Sequence, residues 1–104
     1  MARKTVQDRS DWEIKLDILN AIQSLDAPNI DIEQSGTRQF KIKRDARVEG
    51  NQFSNYIEKM LGDGLIVTKT LDNITYYFRT DKGTEWQTSM QDLREQMRRF
   101  TNNP

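Results

Sequence analysis

The chain has 104 residues, of which 35% are hydrophobic and 31% are charged, and its 16 basic residues balance 16 acidic ones. This length predicts a single domain, and the small apolar share predicts a thin core of the kind that dimerisation often completes. The absence of cysteine and histidine excludes disulfides, thiolate chemistry, zinc sites of the usual nitrogen and sulfur type, and histidine acid–base catalysis.

The sequence also lacks the residues that several other functional classes need. No apolar run approaches the roughly 18 residues of a membrane span, and no signal-peptide pattern is present, so we expect a cytoplasmic protein without a membrane partner. Carboxylate pairs such as Asp72 with Asp81 have no histidine, cysteine or glycine-rich phosphate loop beside them. We therefore expect no catalytic site, no cofactor and no metal.

The first predicted helix follows a polar arm, residues 1–10. It begins at Asp11, where Ser10 and Glu13 fit a capping box, and ends near Ala27 and Pro28. Its apolar residues form two neighbouring stripes, so we expect other parts of the protein to pack on both sides of the helix. One stripe consists of Ile14, Ile18, Ile22 and Leu25, and the other of Trp12, Leu16 and Leu19.

Two shorter helices are predicted next. Alternation at residues 30–32 indicates a very short strand, and Thr37 is the expected N-cap of a helix over residues 38–46 that buries Phe40 and Ile42. Residues 47–50 break that helix, and a third covers residues 51–61 before the glycines at 62 and 64 end it. The residues expected inward on the third helix are Phe53, Ile57, Met60 and Leu61, with Tyr56 beside them.

The remainder predicts a hairpin and a last helix. Residues 65–70 and 74–79 are rich in β-branched and aromatic side chains, and the tight loop between them indicates a two-stranded wing. A helix over residues 81–100 follows, and residues 101–104 form a frayed tail. The order of helix, short strand, helix, helix, hairpin and helix predicts an α+β winged helix-turn-helix domain over residues 11–80, with a C-terminal helix.

The third helix is the candidate for reading DNA. The second helix of a helix-turn-helix lies in the major groove, where asparagine and glutamine pair with adenine and serine bonds to several bases. The candidate base-reading residues are Asn51, Gln52, Ser54 and Asn55. Such residues are also common on any solvated helix, so their meaning depends on the fold around them.

The distribution of charge supports the same surface. Residues 11–33 hold six acids against Lys15, whereas residues 34–47 hold five bases against Asp45. These five are the candidate phosphate contacts: Arg38, Lys41, Lys43, Arg44 and Arg47. Lys69, Asn73 and Arg79 are candidate wing contacts. Glu49 opposes phosphate binding, and a solvated helix face is the alternative reading of the basic run.

Two other interpretations remain open. Adjacent aromatics at 76–78 are a candidate stacking platform for single strands, although alternate strand residues face opposite ways and at least one face must be core. The alternative function is a winged-helix module that binds another protein with little or no DNA binding, which the zero net charge favours.

The last helix bears on assembly. Its apolar residues recur at spacings of four and three: Trp86, Met90, Leu93, Met97 and Phe100. This stripe either packs on the first helix of the same chain or forms a homodimer interface. In the dimer it would meet the last helix of a second copy or that copy's stripe of Trp12, Leu16 and Leu19. A two-fold dimer would present two recognition helices.

The chain resembles the small archaeal winged-helix DNA-binding proteins that carry a C-terminal dimerising helix. The resemblance covers residues 11–100 and is carried by residues 12–22, by residues 56–66 across the third helix and the first wing strand, and by the aromatic strand with Thr-Asp-Lys-Gly at 76–83. It implies a cytoplasmic homodimer that binds double-stranded DNA, as a transcription regulator or a chromatin-like protein, and pairs through the last helix as a coiled coil. The chain departs from the family's serine or asparagine cap, since Glu49 and Gly50 precede the third helix.

Overall fold

The computed structural model describes residues 9–25 and 36–102, with side chains described as far as Phe100. The described elements, in chain order, are α1 (Asp11–Asn20), β1 (Thr37–Arg38), α2 (Gln39–Ala46), α3 (Gly50–Gly62), β2 (Ile66–Leu71), β3 (Ile74–Arg79) and α4 (Asp81–Asn102). This architecture confirms the predicted α+β winged helix-turn-helix fold. The strand predicted at residues 30–32 and most of the N-terminal arm lie outside the described residues.

The wing is an antiparallel hairpin whose second strand also carries β1. The sheet order is β1-β3-β2, with Thr37 opposite Tyr77 and Ile66 opposite Arg79. Asp72 and Asn73 form the two-residue tip and both have positive φ, 51° and 67°. Two such residues define a type I′ turn, whose twist matches that of the strands it joins.

The structure corrects the start of the second helix. Thr37 does not cap that helix, because it belongs to β1 and is almost fully buried. Its hydroxyl oxygen accepts a hydrogen bond of 3.0 Å from the backbone N–H of Gln23, so the side chain satisfies a buried group of another segment. Pairing with β3 therefore extends residues 37 and 38, and α2 starts one residue later than predicted.

Helix α1 ends at Asn20, about seven residues before the predicted end. The guanidinium of Arg79 donates to the carbonyl oxygens of Leu19 and Ile22, at 3.1 and 2.5 Å, and so caps the helix. Beyond it, the N–H of Leu25 donates to the carbonyl of Arg79. The chain thus leaves the helix to lie beside β3, which exposes Leu25 instead of burying it on a helical face.

The core lies between α1, α2, α3 and the helix-facing side of the sheet. Both predicted stripes of α1 contribute, because Leu16 and Leu19 are as fully buried as Ile14 and Ile18. The main core residues from the other elements are Ile42, Ala46, Val48, Phe53, Tyr56, Ile57, Met60, Ile66 and Tyr77. Besides Leu25, two residues predicted inward are exposed, Phe40 at 60% and Leu61 at 38%.

Asp17 on α1 joins three parts of the domain. Its carboxylate contacts the guanidinium of Arg9 at 2.7 Å and that of Arg94, on α4, at 2.9 Å. Arg9 also donates to the carbonyl oxygens of Ala46 and Arg47, where α2 ends. The contacts hold the turn between α2 and α3 in place against α1.

A close approach of backbone fixes the start of α4. A Cβ atom on Gly83 would collide with the carbonyl oxygen of Leu65, so the position requires glycine. The hydroxyl of Thr80 accepts a hydrogen bond from the N–H of Gly83 and donates to the carbonyl of Gly64. The helix therefore begins at Asp81, as predicted. Among the described helices, none is long and apolar enough to cross a membrane.

Candidate nucleic-acid interface

Helix α3 separates a buried apolar face from an exposed polar one. Phe53, Tyr56, Ile57 and Met60 point into the core. The four predicted base-reading residues are all exposed on the other side of the helix: Asn51, Gln52, Ser54 and Asn55. Uncharged donors and acceptors therefore occupy the N-terminal half of the outer face, where a recognition helix meets base edges.

The turn into α3 depends on unusual backbone conformations. Arg47 ends α2 in the left-handed region, with φ 57° and ψ 48°, and Gly50 also has φ 57°. Val48 between them is fully buried and anchors the turn. Glu49 is the exposed N-cap of α3, and its side chain makes no cap hydrogen bond. Because it lies at the N-terminus of the helix, its carboxylate is at the end that favours negative charge.

The basic residues of α2 and its flanks lie mostly in solvent. Arg38, Lys41, Arg44 and Arg47 are exposed, and Lys43 is half-buried. Lys41 and Arg44 share Asp45, at 2.9 and 3.1 Å. Hydrogen bonds, first from Lys41 and then from Arg44, lower the pKa of Asp45. Exposed ion pairs of this kind are weak, so both cations stay available to a phosphate.

The wing offers fewer cations than predicted. Lys69 is exposed, with its ammonium 5.6 Å from the centre of the Phe78 ring, and Asn73 lies at the tip. Arg79, a predicted wing contact, instead caps α1 and forms a 2.9 Å hydrogen bond with Thr84. Burial lowers its pKa from the ordinary value. This role could not be predicted from local sequence, because the carbonyls that Arg79 binds lie 57 and 60 residues earlier in the chain.

An open cleft between α2 and the wing tip was not predicted from the sequence. Arg38, Phe40 and Lys43 line one side of it, and Asn73, Ile74 and Thr75 line the other. A signal did exist, because Phe40 lies about 200° around the helix axis from Ile42 and so cannot share its buried face. An eight-residue helix that buries Ile42 and Ala46 leaves Phe40 outside.

The residues predicted to form a dimer interface divide into two groups. Trp86 packs against the core, and Trp12 and Met90 are half-buried in the same chain. The start of α4 is held on α1, where the side-chain amide of Gln87 donates to Asn20 at 2.7 Å. Farther along α4 the stripe is exposed: 39% at Leu93, 50% at Met97 and 85% at Phe100.

Comparison with solved structures supports the fold described above. No protein-family model matches the chain, and no curated protein matches its sequence. Among solved structures, the chain is similar to the crystal structure of Sso10a-2, a DNA-binding protein from Sulfolobus solfataricus, with a TM-score of 0.73. The match covers 89% of this chain and 86% of that one at 17% sequence identity. This likeness, together with the order of elements, shows that the chain has a winged helix-turn-helix fold like that of Sso10a-2.

Proposed function

We propose that this protein binds double-stranded DNA, with α3 in the major groove. The observation that carries the proposal is the outer face of α3, where exposed amides and a hydroxyl stand next to the basic surface of α2. A winged helix directs this helix toward base edges, while neighbouring cations neutralise phosphates. The DNA-binding character of Sso10a-2, which has a similar fold, supports the proposal.

The proposed roles follow from chemistry and exposure. Asn51, Gln52 and Asn55 read bases, with Ser54 beside them. The cations of α2 and its flanks contact phosphates: Arg38, Lys41, Lys43, Arg44 and Arg47. Lys69 and Asn73 extend the contact to the wing. Glu49 and Asp45 reduce the attraction to phosphate, which favours a protein that selects its sites over one that coats DNA through charge alone.

We further propose that the protein acts as a homodimer and regulates transcription in the cytoplasm. The exposed stripe of α4 would supply the dimer contact, because Leu93 and Phe100 present apolar surface to solvent. A second copy would cover that stripe and place two copies of α3 in one assembly. The function proposed is binding, with no catalytic step.

Selection of duplexes from a random pool, followed by titration, tests this function. Wild-type protein should enrich a duplex sequence, and Asn55→Ala should reduce discrimination at one or two base pairs by about 1–3 kcal/mol each. The matched control is Arg44→Ala, whose exposed side chain contributes little to the fold. It should weaken binding to all duplexes alike and lower the log–log salt slope by about one.

Two results would contradict the proposal. If Asn55→Ala weakens all duplexes equally, Asn55 does not read a base. If wild-type protein binds no duplex at low salt, where phosphate contacts are strongest, DNA binding itself is wrong. A winged-helix module for protein partners would then be the better interpretation.

A further inference from the structure

Phe40 is an exposed aromatic on an otherwise polar helix. Its neighbours on α2 are charged or polar apart from the inward Ile42 and Ala46, yet 60% of Phe40 remains open to solvent. A single exposed apolar residue is common on protein surfaces and needs no special role. Phe40 differs from such residues in the groups that surround its ring.

The ring lies in a concave surface and not on a convex helix face. The cleft between α2 and the wing tip has a volume of about 420 Å³, within the range of about 300–1,000 Å³ that small-molecule sites occupy. Asn73, Ile74 and Thr75 form the wall opposite Phe40. A planar group that enters the cleft therefore meets an aromatic ring on one side, and an amide and a hydroxyl on the other.

The cleft is also basic. The guanidinium of Arg38 lies 5.5 Å from the centre of the Phe40 ring, a cation–π contact that holds both side chains at the cleft. Lys43 supplies a second cation. Among the described lining residues none is acidic, and Asp72 at the wing tip, although next in sequence to Asn73, is not part of the lining.

This set of groups matches the chemistry of a nucleotide. A base stacks on an aromatic ring whatever its identity, arginine and lysine neutralise the adjoining phosphate, and an amide or hydroxyl hydrogen-bonds to the base edge. A base inside a duplex is already covered on both faces by its neighbours. An unpaired base is the one that reaches such a cleft at the lowest energetic cost.

The cleft is connected to the recognition helix. Lys43 lines the cleft and its ammonium also lies 5.2 Å from the centre of the ring of Phe53, in the first turns of α3. Phe53 in turn packs edge-on against Tyr77 of β3, with ring centres 6.4 Å apart. Lys43 thus connects the cleft with the packed aromatic residues that position α3.

We infer that this cleft binds one unpaired nucleotide of a DNA duplex, with the base on Phe40 and its phosphate at Arg38 and Lys43. The inference rests on the proposed DNA binding, which supplies the duplex. It adds a preference for DNA with a bulged or frayed base over fully paired DNA.

The test compares two duplexes that differ by one bulged adenine, with wild-type protein and two variants. Wild-type protein should bind the bulged duplex at least about fivefold more tightly than the paired duplex, because stacking of one additional base on an aromatic ring strengthens binding by about this factor. Phe40→Leu keeps an apolar side chain without a stacking ring, and should lose that preference while binding the paired duplex normally. Phe40→Trp should retain it. Placing 2-aminopurine at the bulge should show fluorescence quenching with wild-type protein but not with Phe40→Leu.

The outcomes separate this inference from the proposed function. Normal binding of the paired duplex without a preference for the bulge overturns the inference alone, as does a preference that survives in Phe40→Leu. Failure to bind either duplex overturns the DNA-binding proposal and the inference together. If Phe40→Leu lowers the association state in sedimentation, the ring belongs to an interface between copies and the inference is wrong.

Discussion

Tyr56 joins the recognition helix to the start of α1. Its hydroxyl donates a 2.6 Å hydrogen bond to the carboxylate of Asp11, while its ring is buried in the core. Burial, and next the bond to Asp11, raises the pKa of Tyr56 to about 12. This contact holds the inner face of α3 and thereby orients the polar outer face.

The raised pKa makes the stability of the domain sensitive to alkaline pH. Because unfolded tyrosine ionises near pH 10, the contribution of Tyr56 is complete below about pH 10 and is lost as the pH rises toward 12. Tyr56→Phe removes a hydrogen bond to a charged group, so we expect a loss of about 1–2 kcal/mol in the free energy of unfolding at pH 7. The deficit should shrink between pH 10 and 12.

Urea unfolding at pH 7, 10 and 11.5 measures this effect. Burial also raises the pKa of Tyr77, but that residue is present in both proteins and cancels in the difference between them. A deficit that stays constant across the pH series would show that Tyr56 ionises as freely in the folded protein as in the unfolded one.

Single residues also mark where sequence patterns lose information. The outer face of α3 was predictable, because the spacing of Phe53, Ile57 and Met60 fixes which residues are left outside. Phe40 was predicted inward together with Ile42, although residues two apart lie about 200° around a helix and cannot share one face. Arg79 was misplaced because its partners are backbone carbonyls of a distant helix, which leave no trace in a residue pattern.

At the scale of elements, local sequence predicted most of the architecture. The four described helices, the hairpin and the beginning of α4 follow from periodicity, turn residues and caps. The end of α1 and the strand β1 did not, because both depend on contacts with β3. Strand pairing over a long sequence separation, as between Thr37 and Tyr77, is a tertiary effect that overrides local helix signals.

The wing tip allows a direct test of element stability. Asp72 and Asn73 both adopt positive φ, which costs most residues about 1–2 kcal/mol but glycine almost nothing. Asn73→Ala should therefore lower the free energy of unfolding by about 1 kcal/mol, whereas Asn73→Gly should preserve or raise it, since Asp-Gly is a favoured type I′ pair.

Thermal and urea unfolding of the two variants provide the measurement. Both variants remove the side-chain amide of Asn73. A change in duplex binding that occurs in both is therefore caused by the loss of this amide. Equal stability of the alanine and glycine variants would contradict the type I′ turn.

At the scale of the molecule, α4 has two parts with different environments. The part up to Arg94 completes the domain through Trp86, through the contact of Gln87 with Asn20, and through the ion pair of Arg94 with Asp17. The described side chains beyond Arg94 are all exposed, and the molecule measures 52 Å along its longest axis but 28 and 23 Å along the others. Packing on α1 thus accounts for the first part, whereas the proposed contact with a second copy would use the exposed stripe from Leu93 to Phe100.

Charging the exposed stripe tests the proposed homodimer. Leu93→Glu with Phe100→Glu places two carboxylates on the proposed interface and should convert a dimer to a monomer in sedimentation equilibrium. Thr88→Glu with Gln91→Glu, at exposed positions on the opposite side of α4, is the control of equal charge and should remain dimeric. Far-UV circular dichroism should show that both variants stay folded.

The same variants connect assembly to function. A dimer binds a duplex with two half-sites through two copies of α3, and the second contact is made at a high effective concentration. The Leu93→Glu and Phe100→Glu variant should therefore lose at least about tenfold in affinity for that duplex, but bind a single half-site like the control. If the variant is still a dimer, the interface lies elsewhere. If it is a monomer with unchanged affinity for paired half-sites, dimerisation does not contribute to DNA recognition.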